Sequence, residues 1–257
     1  MSRDVQSRRP WSLRPALGLC AFLVSAASAH ADCGAAASPR VDWTGCSKSR
    51  LMLGSHDLSG AILSRSVLTS TDFTNSNFKG AKLNETEVSY VRFLSADLTG
   101  ADLTKAVGWR TSFGGARLGG ANLHTAQMSR AVFSKAGMVK ANLSKSEMNR
   151  SDFSGADLTG ADLSKAELAR VVFKDAKVSG TDMSYSNLAR ARLDGVSLDG
   201  VNLTGAYLLL TQIEGADLSG AKGLKQEQLD LSCGSSDTKL PAGLVSPKSW
   251  PCKDDDD

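Results

Sequence analysis

Apolar residues recur at every fifth position from Leu53 to Leu218, and Gly108 is the only break in residue type. An α-helix repeats its apolar residues about every 3.6 positions and a strand about every 2, so this spacing fits neither element. Four sides of five residues each would close a square turn of twenty residues and form a solenoid. We therefore expect stacked aromatic rings at every twentieth place, contributed by Phe73, Phe93, Phe113, Phe133, Phe153 and Phe173.

The repeating unit reads Ala-Asp-Leu-Ser/Thr-Gly, as in residues 96–100 and 156–160. This pattern resembles the pentapeptide-repeat family over residues 51–222. The resemblance implies an all-β fold, a right-handed quadrilateral β-helix whose central residue and the small residue two before it point inward. With stacked strands about 4.8 Å apart, about eight to nine coils would form a rod about 40 Å long.

The two flanks of the array are expected to cap its ends, because unpaired strand edges promote aggregation. Residues 32–50 would form the N-terminal cap, and residues 223–257 the C-terminal cap. Helix-forming residues at 223–229 predict a short helix, and the prolines that follow prevent the tail from continuing the sheet. Similar cysteine-bearing ends occur in exported bacterial members of the family that the chain resembles.

Four cysteines lie outside the array, two on each side of it. Of the three possible connectivities, Cys33–Cys46 and Cys233–Cys252 are favoured, because the array holds its two ends apart. Each bridge would then staple one cap. Metal binding is the alternative, but neither pair forms a Cys-x-x-Cys motif or has a histidine nearby.

Residues 1–31 have the features of an export signal: a basic start, an apolar run at 16–27 and the small-residue pattern Ala29-His30-Ala31. We expect cleavage after Ala31, loss of Cys20 with the signal, and a periplasmic or secreted protein. Arg8-Arg9 leaves both the general and the twin-arginine route open. No later segment is long and apolar enough to span a membrane. The final residues, Lys253–Asp257, resemble a solvated or added tail.

Overall charge gives no support for steering of a polyanion. Removing the signal's four arginines and Asp4 reduces the 30 basic and 27 acidic residues of the chain to 26 of each. Some members of the pentapeptide-repeat family act as duplex mimics, whose acidic rods occupy the DNA site of a topoisomerase. Residues 51–222 lack such an acidic excess, so this is the weakest of the binding hypotheses.

Catalytic motifs are missing from the sequence. His56 and His124 lie several turns apart, and no nucleophile elbow, phosphate-binding loop or metal-ligand spacing is present. One outward column is rich in carboxylates and amides, but we expect these side chains to hydrogen-bond along the column: Asp102, Asn122, Asn142, Asp162, Asp182 and Asn202. We therefore expect no enzyme activity, no cofactor and no metal.

Another outward column consists of five arginines one turn apart, here called the arginine column: Arg110, Arg130, Arg150, Arg170 and Arg190. Like charges at this spacing repel and need a partner, which Glu147 and Glu167 would supply in part. Tyr90, Trp109, Tyr207, Leu209 and Leu210 lie on the same side. Arginine together with aromatic residues is typical of interface centres.

The arginine column with Tyr90, Trp109 and Tyr207 is the candidate binding surface, here called the arginine-aromatic face. We expect a non-enzymatic module that docks a protein partner or a second copy through it. The alternatives are binding of an anionic polymer, such as envelope polysaccharide or nucleic acid, and a merely solvated column neutralised by its own glutamates.

Gly108 occupies an inward position where Val88 and Met128 are its neighbours one turn away. We expect either a hole that Met128 partly fills, or a local bulge at residues 108–109. If a hole is present, Gly108→Leu should raise the melting temperature.

Overall fold

The computed structural model describes residues 31–252. The expected signal, including Cys20, lies outside the described residues apart from Ala31, and so does the tail Lys253–Asp257. Among the described residues, no helix has the length and apolarity needed to cross a membrane.

Inward residues fill the interior of square turns, as the five-residue frame predicts. Ala101 and Leu103, for example, are completely buried. The six phenylalanines form a continuous stack with ring centroids 4.8–5.5 Å apart. Each buried phenylalanine contributes about 1.5–3 kcal/mol before the cost of ordering is subtracted. The predicted stack is confirmed.

Each corner of the square is a tight turn with one residue in the left-handed region. The N–H of Ala61 donates to the Leu58 carbonyl at 3.0 Å, and Gly60 between them has φ 63°. This is the pattern of a type II turn. Every fifth residue from Arg40 to Gly215 has a positive φ, between 52° and 70°. Glycine adopts this φ with least strain, yet arginine, lysine and tyrosine also occupy it.

Successive turns pair in parallel through residues twenty apart, from Asp42–Ile62 to Asn202–Lys222. Only about three residues of each side are extended between two corners, so pairing involves one bridge residue per side. Within residues 31–252, no strand longer than this single bridge residue forms. The fold is therefore a stack of parallel bridges around a buried core.

Parallel pairing begins at Asp42, before residue 51, where the repeat pattern places the start of the array. Trp43 fills the central inward place of this first turn and is 1 % exposed. Lys48 takes the next central place, with its Nζ 4.3 Å from the centre of the Trp43 ring and 3.4 Å from the Ala35 carbonyl oxygen. A lysine at an inward place interrupts the apolar frame, so the sequence concealed this turn.

The C-terminal flank covers the last turn. Helix α1, Gln226–Leu229, is the only helix within residues 31–252. The Gln228 amide donates to the carbonyl oxygens of Leu203 and Ala206, both at 2.8 Å. Two residues after the helix continue the parallel pairing, Cys233 with Gln212 and Lys239 with Asp217. Several carbonyl and N–H groups at this end therefore have partners.

Both predicted disulfides are present. Cys33–Cys46 ties the segment before the coil to its first turn, and Cys233–Cys252 ties the end of the described chain to the C-terminal flank. Trp250 packs over Gly234, and its Nε1 donates to the Ser232 carbonyl at 2.7 Å. The tail is therefore anchored by a covalent bond and by an aromatic contact.

The aspartates and asparagines before the central residues close local turns. The Asp102 carboxylate accepts hydrogen bonds from the backbone N–H and the hydroxyl of Thr104. The same backbone contact recurs at the other column members, Asn122, Asn142, Asp162, Asp182 and Asn202. Within the described chain, only Asn202 donates along this column, to Asp182. The expected side-chain ladder is therefore wrong, and the repeat favours Asp or Asn because it closes this turn.

Gly108 leaves no hole and makes no bulge. Val107 bridges to both Glu87 and Gln127, so the frame continues through this position. A Cβ on Gly108 would lie 2.6 Å from Thr111 Oγ1, 2.9 Å from Val88 Cγ2 and 3.3 Å from Met128 Cγ. Neighbours from this turn and both adjacent turns have closed the space.

The stabilising effect that the sequence predicted for Gly108→Leu is therefore reversed. We expect this substitution to lower the melting temperature, because overpacking a closed core costs about 1–3 kcal/mol. Thermal unfolding followed by circular dichroism measures the change. Met128→Leu, which conserves volume, is the control and should have a smaller effect. An increased melting temperature for Gly108→Leu would contradict the closed packing.

Acid should weaken the fold. Hydrogen bonds from the hydroxyl and N–H of Ser219, and then from Lys239, lower the pKa of Asp217 from 3.8 to about 2. The pKa values of five other aspartates are also lowered: Asp42, Asp57, Asp72, Asp97 and Asp157. Because these pKa values are lower in the folded state, the carboxylates stabilise the fold above the unfolded-state pKa. This stabilisation is lost as pH falls through the folded-state values.

We expect a nearly constant melting temperature from about pH 7 to pH 5 and a progressive fall between about pH 4 and pH 2. Ser219→Ala should raise the pKa of Asp217, which can be followed by NMR titration of its carboxyl carbon. An unchanged melting temperature down to about pH 2 would show that the ionised aspartates of these turns do not stabilise the folded state.

Candidate functional site

The arginine column runs along one corner of the rod. All five side chains are exposed, and their backbones have φ between 54° and 61°. Because successive turns lie about 4.8 Å apart, the column presents one guanidinium per turn on a rigid backbone. The regularity of the fold therefore converts a twenty-residue sequence repeat into a row of positive charge.

The column has no acidic partners in the part of the chain that the structure describes. Four ion pairs form within residues 31–252, and none includes a member of the column: Arg92–Asp72, Arg117–Asp97, Arg192–Asp194 and Lys239–Asp217. Glu147 and Glu167 are exposed but form no ion pair with it among residues 31–252, so direct pairing of these two glutamates with the column is absent there. The charge of the column is open to solvent.

Three predicted residues come together at one end of the column. The rings of Tyr90 and Trp109 meet edge to face with centroids 5.2 Å apart, and Arg110 Cζ lies 4.5 Å from the centre of the Trp109 ring. The Trp109 N–H donates to Ser89 Oγ at 3.0 Å, which fixes its backbone. Tyr90 is 46 % and Trp109 39 % exposed, so this ordered aromatic cluster is available to a partner.

Tyr207 lies apart from that cluster. It is 46 % exposed, but it belongs to a turn about 24 Å farther along the rod. Leu209 and Leu210 lie beside it, and the Leu210 N–H donates to the carbonyl of Leu231, which is 40 % exposed. Leu231 thus enlarges this second apolar area. The repeat pattern does not indicate Leu231, because this residue follows the end of the repeat frame.

The remaining chemistry-bearing residues do not assemble into a site. His124 Nδ1 contacts Ser144 Oγ at 2.9 Å, whereas His56 Nδ1 contacts the Gly54 carbonyl at 3.0 Å. Within residues 31–252, no three His, Cys, Asp or Glu side chains are placed to hold a metal ion. The side chains of the column of aspartates and asparagines already accept the hydrogen bonds that close their turns. The arginine-aromatic face is therefore the strongest candidate for function.

Replacing a column arginine by glycine should stabilise the fold. The left-handed backbone costs an L-residue about 1–2 kcal/mol, whereas the entropic cost of glycine is about 0.5–1 kcal/mol. We expect Arg150→Gly to raise the melting temperature by a few degrees, measured by calorimetry. Arg150→Ala keeps the strain and should gain less. A lower melting temperature for Arg150→Gly would mean that the arginine side chain stabilises the rod.

Comparison with known proteins agrees with this architecture. The family described as Pentapeptide repeats (8 copies) matches residues 57–89 and 111–150, and the family described as Pentapeptide repeat region matches residues 146–222. Comparison with curated protein sequences gives no match.

Solved structures with similar folds include full-length QnrB1, a plasmid-mediated fluoroquinolone resistance protein, at 18% identity and TM-score 0.50, covering 76% of this chain and 94% of QnrB1. HetL from the cyanobacterium Nostoc, involved in heterocyst differentiation regulation, is 26% identical with TM-score 0.39, covering 69% of this chain and 89% of HetL. The repeat frame, the square turns and the two family matches lead to one conclusion: the chain belongs to the pentapeptide-repeat family.

Proposed function

We propose that this protein is an exported, non-enzymatic binding module that docks a protein partner, or a second copy of itself, through the arginine-aromatic face. One observation carries the proposal. Arg92, Arg117 and Arg192 pair with aspartates, whereas the five arginines of the column pair with no acidic residue among residues 31–252. Arg40, Arg50 and Arg65 also form no ion pair within residues 31–252, but none of them has an arginine on an adjacent turn. The column is distinguished by five unpaired arginines on five successive turns.

The free row has a physical cost. Its five members repel each other across about 4.8 Å. An uninterrupted row of like charges gives up local stability, and a functional site is one place where such a loss is expected. The ordered Tyr90–Trp109–Arg110 cluster adds the residue types that dominate binding energy at interface centres.

Export is the second part of the proposal. It is supported by the basic start, apolar run and small-residue pattern of residues 1–31. Two disulfides, one at each end of the coil, suit an oxidising compartment. The protein would then meet its partner in the periplasm or outside the cell.

Binding of an anionic polymer is the second candidate function, and the free arginine row favours it as well. Such binding would fall steeply with salt, because each neutralised charge releases a counterion. A DNA-mimic inhibitor of a topoisomerase needs an acidic rod, and the positive row contradicts that requirement. The similarity to QnrB1 is a similarity of fold only.

Affinity capture from an envelope extract tests the proposal. The wild-type protein would be compared as bait with one variant that combines Arg130→Glu, Arg150→Glu and Arg170→Glu, each at about 50 and 300 mM salt. A matched control reverses three exposed basic residues on other corners, which have the same left-handed backbone: Arg40→Glu, Lys135→Glu, Lys140→Glu.

We expect the arginine variant to lose a defined protein that the control variant retains. Loss of a polymer with a steep salt dependence would instead support the second candidate. Equal capture by all three baits would contradict any docking role of the arginine-aromatic face.

A further inference from the structure

A second row of positive charge lies on the neighbouring corner of the rod. Lys105, Lys145 and Lys165, here called the lysine column, are exposed and have φ between 57° and 59°. Thr125 occupies the turn between Lys105 and Lys145, so this row is shorter than the arginine column and is interrupted once. No ion pair within the described residues includes these lysines. Each lies five residues before a member of the arginine column. The two columns therefore form the two edges of the same side of the rod.

Glutamates occupy the midline of this side. Glu147 and Glu167 are exposed, and they lie between Lys145 and Arg150 and between Lys165 and Arg170. The extended part of a side is about 10 Å wide, since it holds about three residues at 3.3 Å each. At the turns of Glu147 and Glu167 the charge across that width runs positive, negative, positive, and over the whole side the positive edges predominate.

A second copy does not fit this charge pattern. Two identical sides can meet about a two-fold axis parallel to the rods or about one perpendicular to them. A parallel axis places the lysine column of one copy against the arginine column of the other. A perpendicular axis places each column against its own counterpart. Both arrangements bring rows of positive charge together, so self-pairing through this side is unfavourable.

A uniformly anionic polymer fits less well than a protein. A polymer lying along the midline would meet the carboxylates of Glu147 and Glu167. The exposed Tyr90–Trp109 pair at one end and Tyr207 near the other also offer apolar area. A protein surface can supply carboxylates to both edges, a donor to the midline and apolar side chains to the ends.

Building on the proposed function, we infer that the docking site is the whole side of the rod between the lysine and arginine columns. Its occupant is an acidic surface of a different protein, with carboxylates along two rows and cationic or hydrogen-bond-donating groups between them. The arginine column is then one of two positively charged edges of the site.

The test uses the protein retained by the wild-type bait after nuclease and polysaccharide-lyase treatment of the extract, identified and purified. Its dissociation constant would be measured against four variants. Two variants reverse the charge of one edge each: the arginine variant described above, and a lysine variant that combines Lys105→Glu, Lys145→Glu and Lys165→Glu. The third is the control variant described above, with glutamate at positions 40, 135 and 140. The fourth combines Glu147→Gln and Glu167→Gln. Circular dichroism confirms that each variant is folded.

We expect either edge reversal to weaken binding at least ten-fold, the glutamine variant to weaken it several-fold, and the control to have little effect. Loss of binding with the arginine reversal alone would overturn the two-edged site and leave the proposed function intact. If neither reversal matters, both proposals fail.

Two further readouts address the other occupants. Sedimentation equilibrium should show a wild-type monomer, and a dimer abolished by either edge reversal would overturn the inference. Heparin is the probe for a uniform polyanion. If the digested extract yields no protein partner, and heparin binds more tightly after Glu147→Gln and Glu167→Gln, the occupant is a polymer and the inference is wrong.

Discussion

The left-handed corner is the constraint on which the rest of this molecule depends. A positive φ at every fifth residue turns the chain sharply, so each side retains only a short extended stretch. That stretch has room for two inward residues and one outward residue between them. Stacking then aligns equivalent residues into columns one turn apart. A residue type that recurs every twenty positions in the sequence therefore becomes a row on the surface, whatever the overall composition of the chain.

This alignment explains how a nearly neutral coil can present a strongly basic side. Acidic residues mostly occupy the positions before the central residues, where they close turns with a following Ser or Thr. Basic residues are concentrated at the corners. On two neighbouring corners they form rows that have no ion-pair partners within residues 31–252. The corner backbone would be least strained with glycine, so we expect the arginines to carry a stability cost.

The sequence predicted the elements that follow from spacing alone: the frame, the phenylalanine stack and both disulfides. It failed where one side chain departs from the pattern. Lys48 is polar at an inward place and concealed the first turn. Gly108 looked like a hole because the contact with Thr111, and how closely Val88 and Met128 approach, are not visible in a linear pattern. The arginine column was predictable from its period. The absence of pairing with Glu147 and Glu167 depended on side-chain geometry, which spacing does not fix.

The central claim is that the arginine column is covered by a partner when the protein is in its native surroundings. Arginine-specific labelling with phenylglyoxal, read by mass spectrometry, tests this claim directly by comparing an envelope extract with the purified protein. The account predicts that Arg130, Arg150 and Arg170 are protected in the extract, whereas Arg40, exposed on another corner, reacts equally in both. Equal labelling of the column and Arg40 in both samples would contradict it.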